Sequence, residues 1–109
     1  FATISELAGN TTPQINDSKS FKDLLTSSNA ETRDYIYTEI GNDDGTTNYT
    51  IRDATHKYIS FGNTNEAFYN LSNNPLENPN LLNANQLPLN ISDSVIKDEL
   101  IAELNSIRN

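Results

Sequence analysis

Residues 35–71 read YIYTEIGNDDGTTNYTIRDATHKYISFGNTNEAFYNL, and the fold turns on this stretch. Tyr35-Ile36-Tyr37-Thr38-Glu39-Ile40 is dense in aromatic and β-branched side chains, which suit a pleated, half-buried surface. Gly41-Asn42-Asp43-Asp44-Gly45 follows as turn chemistry, with Asp44-Gly45 a dipeptide that tolerates positive φ. Tyr49-Thr50-Ile51-Arg52 is a second strand, Asp53-Ala54-Thr55-His56 turns the chain, and Lys57-Tyr58-Ile59-Ser60-Phe61 returns as a third. Gly62 to Asn65 turns it again, and Ala67-Phe68-Tyr69-Asn70-Leu71 is a fourth. Hairpins join neighbouring strands at little cost, so four strands near 35–40, 48–53, 57–61 and 67–71 predict an antiparallel meander over 34–71.

Working outward, residues 72–109 change period. Pro75, Pro79 and Pro88 make 72–90 an ordered loop or linker. Ser92 or Asp93 then caps a helix near 93–107, with Val95, Ile96, Leu100, Leu104 and Ile107 on one face and Lys97, Glu99 and Glu103 elsewhere. On the other side, 1–33 is a helix-and-loop lead-in. Phe1, Ile4, Leu7 and Ala8 repeat at helical spacing before Gly9, a residue that helices favour just past their end, so the chain reads as starting within a helix. Polar loops are expected over 10–17 and 26–32, with a short turn capped by Ser20 through Phe21, Leu24 and Leu25. A helix laid across one face of a four-stranded sheet buries both apolar surfaces, which predicts a single α+β domain.

Composition removes several functions. Seven basic residues among fifteen acids give a net charge of −8, the wrong sign for a phosphate backbone or an anionic membrane surface. No apolar run approaches the length that spans a bilayer. Cysteine is absent, which removes disulfides, thiolate nucleophiles and Cys-ligated zinc together.

Candidate chemistry is sparse. His56, the single histidine, suits acid–base work by its type, but it falls in an expected hairpin turn with no nucleophile beside it, and reads as a solvent-facing turn residue. Asn42, Asp43 and Asp44 lack the alternating oxygen ligands and terminal bidentate Glu of a calcium loop. Glu39 with Asp43 or Asp44 is a pair of acids of the kind glycosidases use, without a pocket to hold a sugar between them.

The order of segments resembles the sulfatase family. Phe1-Ala2-Thr3-Ile4-Ser5-Glu6-Leu7-Ala8-Gly9 is similar to its "F-x-T-hydrophobic-x-x-L-A-G" helix, and Asp17-Ser18-Lys19-Ser20-Phe21 before Leu24-Leu25 to its "D-G-x-S…L-L". Arg33 through Glu39 resembles an "R-x-x-hydrophobic-x-x-E" strand. Tyr49-Thr50-Ile51-Arg52-Asp53 with Lys57-Tyr58-Ile59 resembles "R-D-G-x-Y-K". Glu66-Ala67-Phe68-Tyr69-Asn70-Leu71, Asn74-Pro75, Glu77 and Asn80-Leu81 resemble "E-E-L-Y-D-L-x-x-D-P-x-E-x-x-N-L". Ser18 and Ala54 stand where the family prefers Gly, and Asn70 and Asn74 where it prefers Asp.

The resemblance covers the family's smaller carboxy-terminal subdomain, and its implications follow from that. The formylglycine nucleophile, made from a "C/S-x-P-x-R" motif that this chain lacks, and the calcium ion are expected in an upstream catalytic α/β domain. That domain is the expected partner, a sulfated small molecule or glycan the expected substrate of the parent, and the periplasm or exterior its expected location. No catalytic or metal-binding residue and no cofactor is expected in this chain. The loop from Asn42 to Asn48 is the expected place for substrate contact, through Asn42, Asp43 and Asn48, because loops on a rigid scaffold carry specificity. Arg52 and Lys57 match family positions and are expected to make structural salt bridges or edge-strand contacts. A phosphate- or phosphonate-ester hydrolase and a free-standing extracellular binding module remain as alternatives.

Overall fold

Alternation places Tyr37, Ile51, Tyr58 and Phe68 on one face of a sheet, and the computed structural model puts these four side by side in register. It describes residues 1–11, 18–30 and 33–108. The strands are β1 (Ile36–Gly41), β2 (Thr47–Arg52), β3 (His56–Ser60) and β4 (Glu66–Asn70), in the order β1-β2-β3-β4. Every pair is antiparallel, with Tyr37 opposite Ile51, Ile51 opposite Tyr58, and Tyr58 opposite Phe68. Each strand lies within one residue of its expected position.

Helix α2 (Ile91–Arg108) packs on that face. Leu100 and Leu104 join Ile51, Tyr58 and Phe68 in the core, with Tyr35, Tyr37, Tyr49, Leu81, Leu82, Leu89, Ile96 and Ile101 around them. Burying each large apolar side chain contributes about 1.5–3 kcal/mol. At the far end of the helix, the Arg108 guanidinium lies 3.7 Å from the centre of the Tyr49 ring.

Two expectations about α2 need correction. It begins at Ile91 because Asn90 is the cap: Asn90 Oδ1 accepts the Asp93 N–H at 2.8 Å, and Asn90 Nδ2 donates to Asp93 Oδ2 at 2.7 Å. The expected apolar stripe is also misplaced at both ends. Val95 precedes Ile96 by about 100° of helix rotation and is half exposed, and Ile107, in the last turn, is 41% exposed.

The loop after β4 covers that strand's outer edge. Phe68 N–H donates to Asn80 Oδ1 at 3.0 Å, and Leu81 N–H donates to the Phe68 carbonyl at 2.8 Å. Asn80 Oδ1 also accepts the Leu82 N–H at 3.0 Å. Asn70 Oδ1 and Asn74 Oδ1 accept the N–H groups of Asn73 and Leu76, the turn-capping role that the family's Asp would fill.

The chain divides into two compact units, Phe1–Asp34 and Tyr35–Asn109. In the first, α1 (Ala2–Leu7) ends as its sequence predicts. Gly9 has φ +81°, with its N–H on Glu6 O and the Asn10 N–H on Ser5 O, a Schellman termination. Thr3 Oγ1 accepts the Phe21 N–H, Ser18 Oγ accepts the Ala2 N–H, and Ser20 Oγ accepts the Lys22 N–H at the start of a 3-10 helix, Lys22–Leu25. Most of the loop expected over 10–17, Asp17 of the quoted motif, and the end of the loop expected over 26–32 lie outside the described residues.

Candidate functional site

The three residues singled out for substrate contact sit at one end of the sheet, where both hairpin turns meet. In the β1–β2 turn the Gly45 N–H donates to Asn42 O at 3.0 Å and the Asn42 N–H to Thr46 O at 2.8 Å, with Gly45 at φ +82°. Asn42 Nδ2 donates to Thr46 Oγ1 at 2.9 Å, and Asn42 Oδ1 accepts from Asn48 Nδ2 at 3.3 Å. Asn48 Oδ1 in turn accepts the Gly62 N–H from the β3–β4 turn at 3.0 Å. A chain of side-chain amides therefore ties one turn to the other.

Gly62 is required there for space. A Cβ on it would lie 2.4 Å from Thr46 Cβ. The left-handed residue of the β3–β4 turn is instead Thr64, at φ +73°. Asp44 accepts the Thr46 hydroxyl at 2.6 Å and its N–H at 2.9 Å, and these bonds hold its carboxyl below its ordinary range. Asn42 and Asn48 are thus committed to bracing the tip, while Asp43 is exposed on it.

His56 contradicts its sequence reading. It is 4% exposed rather than solvent-facing, because it opens β3 on the inward parity shared with Tyr58. Its ring stacks on Phe68 at 5.3 Å, Nε2 lies 3.0 Å from Asp93 Oδ1, and Nδ1 lies 2.8 Å from Thr55 Oγ1. Asp53 Oδ1 accepts the N–H groups of Thr55 at 2.6 Å and His56 at 2.7 Å. Burial alone would raise the Asp53 pKa, but those bonds, the Thr55 hydroxyl and the neighbouring ring outweigh it and lower it. The turn closes with Asp53 N–H on His56 O at 3.1 Å, and Ala54 is not among the residues with positive φ, so the turn has no need of the family's Gly. A buried imidazole gripped on both nitrogens has no face left for a substrate.

The remaining candidates are structural. Lys57 pairs with Glu77 at 2.8 Å, and Arg52 Nε donates to the Asp53 carbonyl at 3.2 Å. Glu39 accepts the Tyr37 hydroxyl at 2.5 Å, which pushes that phenol up to about 12, and is in this way spoken for. Burial, and then the bond to Glu66, push Tyr58 higher still. Among the described residues no group of three or more His, Cys, Asp or Glu is gathered as a cation site would need, and no helix is long and apolar enough to cross a membrane.

Sequence reasoning missed the link between His56 and Asp93. The available signal was parity, since His56, Tyr58 and Ser60 alternate on one face. Nothing local pointed to an aspartate 37 residues further on.

No protein-family model matches the sequence, and no curated protein matches it at a significant level. Among solved structures, the fold is similar to a Bacteroides thetaiotaomicron protein provisionally titled a sulfatase, with a TM-score of 0.76 and 22% identity over 96% of this chain. It is also similar to a protein solved in complex with its substrate D-glucosamine-2-N,6-O-disulfate, with a TM-score of 0.75 and 21% identity over 97% of this chain. In both cases this chain spans 22% of the other chain's length.

Proposed function

We propose that this chain is the carboxy-terminal structural subdomain of a sulfatase-type hydrolase of sulfuric esters, and that it is not catalytic by itself. The observation that carries this reading is the similarity of nearly all of it to about a fifth of two larger chains, one titled a sulfatase and one bound to a disulfated sugar. The order of motifs from Phe1 to Leu81 supports it independently. In this reading an α/β catalytic domain outside this chain would hold the formylglycine and the calcium ion, which would supply a nucleophile and charge stabilisation for the ester. The present chain completes that domain's fold.

The apolar surface of the first unit supports a partner of this kind. Phe1, Ile4, Leu7 and Leu25 are each more than half exposed, an arrangement that wastes large side chains unless another apolar surface meets them. At the hairpin tip, Asn42 and Asn48 hold the turn while Asp43 reaches the substrate. A carboxylate there repels a sulfate group but accepts hydrogen bonds from hydroxyls, so it reads the sugar rather than the ester.

The test starts at the DNA. A reading frame upstream of Phe1 that encodes "C/S-x-P-x-R" is expected. The polypeptide it encodes is expected to cleave a sulfated glucosamine, and to lose that activity when the Cys or Ser of the motif becomes Ala. Turnover of an aryl sulfate by the 109-residue chain alone would refute the proposal, as would a frame without the motif. Turnover of phosphate or phosphonate esters in preference to sulfate would move the assignment to that class of substrate.

A further inference from the structure

The two edges of the sheet are finished differently. On β4, outward-facing main-chain groups find partners in the loop that follows. The Phe68 N–H meets Asn80 Oδ1, the Phe68 carbonyl takes the Leu81 N–H, and the Asn70 carbonyl takes the Asn74 N–H at 3.0 Å. On β1 the direction of each group follows from the turn. The Asn42 N–H bonds to Thr46 O, so the alternation of an antiparallel ladder gives Ile36, Thr38 and Ile40 to β2. Tyr37, Glu39 and Gly41 therefore turn their N–H and C=O groups outward, and no described residue bonds to them there.

An open edge is a template for another strand, and proteins guard such edges with Lys, Pro or a bulge. β1 has none of these. Its sequence is IYTEIG, and its register on β2 is unbroken from Ile36 to Gly41. Ile36 and Ile40 are 54% and 60% exposed, on the face away from α2, which packs chiefly over β2 and β3.

The strand that fits this edge can be read from β1 itself. Turned antiparallel about Thr38, a second β1 sets Ile36 opposite Ile40, Tyr37 opposite Glu39 and Thr38 opposite Thr38. The outward groups of each Tyr37 then exchange N–H···O bonds with those of the other copy's Glu39. Side chains agree with this: isoleucine meets isoleucine on one face, and phenol meets carboxylate on the other. Neighbouring registers fit worse. A shift of two residues one way sets Glu39 against Glu39, and the other way it separates the isoleucines. A shift of one residue turns every side chain to the wrong face.

We propose that β1 is a dimerisation edge, to which a second copy of this chain adds its own β1 about a two-fold axis at Thr38. The β4 edge is already occupied, so the pair closes instead of growing into a fibre. The inference goes beyond the hydrolase reading and does not depend on it.

The test is sedimentation of the 109-residue chain, in salt that screens its charge of −8. A contact of one strand on one strand is small, so the dimer is expected to appear at about 0.1 mM and above. Exchange of the Tyr37 and Glu39 amides is expected to slow about tenfold between dilute and concentrated chain. Thr38 is exposed and opposes itself across the axis, so Thr38→Lys and Thr38→Glu each bring like charges together. Each is expected to weaken the dimer about tenfold or more, with the urea midpoint of the dilute chain unchanged. An equimolar mixture of the two variants is expected to associate again, because Lys then meets Glu. Four results would overturn the proposal: a chain still monomeric at about 1 mM, Tyr37 and Glu39 exchange independent of concentration, a Thr38→Lys chain that pairs as the native one does, or a mixture that associates no better than either variant alone.

Discussion

Replacing Asn80 with Ala tests how the loop after β4 protects the sheet. Its Oδ1 accepts two backbone N–H groups, from Phe68 and Leu82, at 3.0 Å each. Phe68 is fully buried, so its amide has no water to turn to, whereas Leu82 is only half buried. A buried donor left unsatisfied costs about 1–3 kcal/mol, and the second amide, partly rescued by solvent, adds less. The expected loss is about 2–3 kcal/mol, a large share of the roughly 5–15 kcal/mol that holds a small domain folded. In urea, with a slope of about 1.5 kcal/mol per molar, the unfolding midpoint falls by about 1–2 M. Asn80→Asp keeps the acceptor oxygen and is expected to recover more than half of the loss. A midpoint shift below about 0.3 M for the Ala variant, or an Asp variant as unstable as the Ala one, would mean that the edge is held by something other than this side chain.

Other outcomes follow from the same geometry. Gly62→Ala drives a Cβ into Thr46 and is expected to cost about 1–3 kcal/mol by urea denaturation, with amide shift changes at Asn42 and Asn48. Thr64→Gly removes a β-branched residue from left-handed backbone, a strain of about 1–2 kcal/mol, against about 0.5–1 kcal/mol of extra chain entropy; melting should rise by a few degrees. Asp53 has its pKa lowered from 3.8 in the fold, so its stabilisation is present above that value and lost as pH falls through the lower folded value. Asp53→Asn should accordingly flatten the acid limb of a stability–pH curve below about pH 4. In α1, with Phe1, Ile4 and Leu7 exposed, amide exchange in a dilute monomer should be faster than in β2 and β3, and protection of residues 2–8 equal to that of the sheet would contradict this.

The sheet was legible in the sequence because each of its signals is local. Alternation within β1 to β4 sets which residues face inward, and Asp44-Gly45 sets the first turn, so neither required knowledge of the rest of the chain. The errors were of two kinds. Asn90 capped α2 ahead of the expected caps, and His56 was set in a turn although its parity with Tyr58 pointed inward; both signals are local, and only the partner Asp93 of His56 is distant. In the turn from Gly62 to Asn65 the positive-φ residue is Thr64 and not the glycine. The glycine was needed instead because Thr46, on another hairpin, leaves no room for a Cβ, and such a clash leaves no trace in the sequence around position 62.

The hairpin tip was legible in the sequence, but the tasks of its side chains were not. The loop from Asn42 to Asn48 stands at a hairpin tip as expected, yet two of the three side chains chosen for substrate contact are consumed in bracing it. Side-chain amides suit both tasks, since each offers a donor and an acceptor, and composition cannot tell a brace from a ligand. The distinction rests on partners, and here they are the backbone and side chains of the neighbouring turn. Asp43 is left as the residue of that loop with the best claim to meet something outside the chain. That claim can be separated from stability: Asp43→Ala should leave the unfolding midpoint unchanged, because the residue is exposed and surface changes of this sort stay within about 0.5 kcal/mol. In the proposed parent hydrolase the same substitution should raise KM for a sulfated sugar while sparing kcat, as loss of uniform binding does. A fall in kcat with KM unchanged would place Asp43 nearer the reacting ester than a sugar-reading role allows.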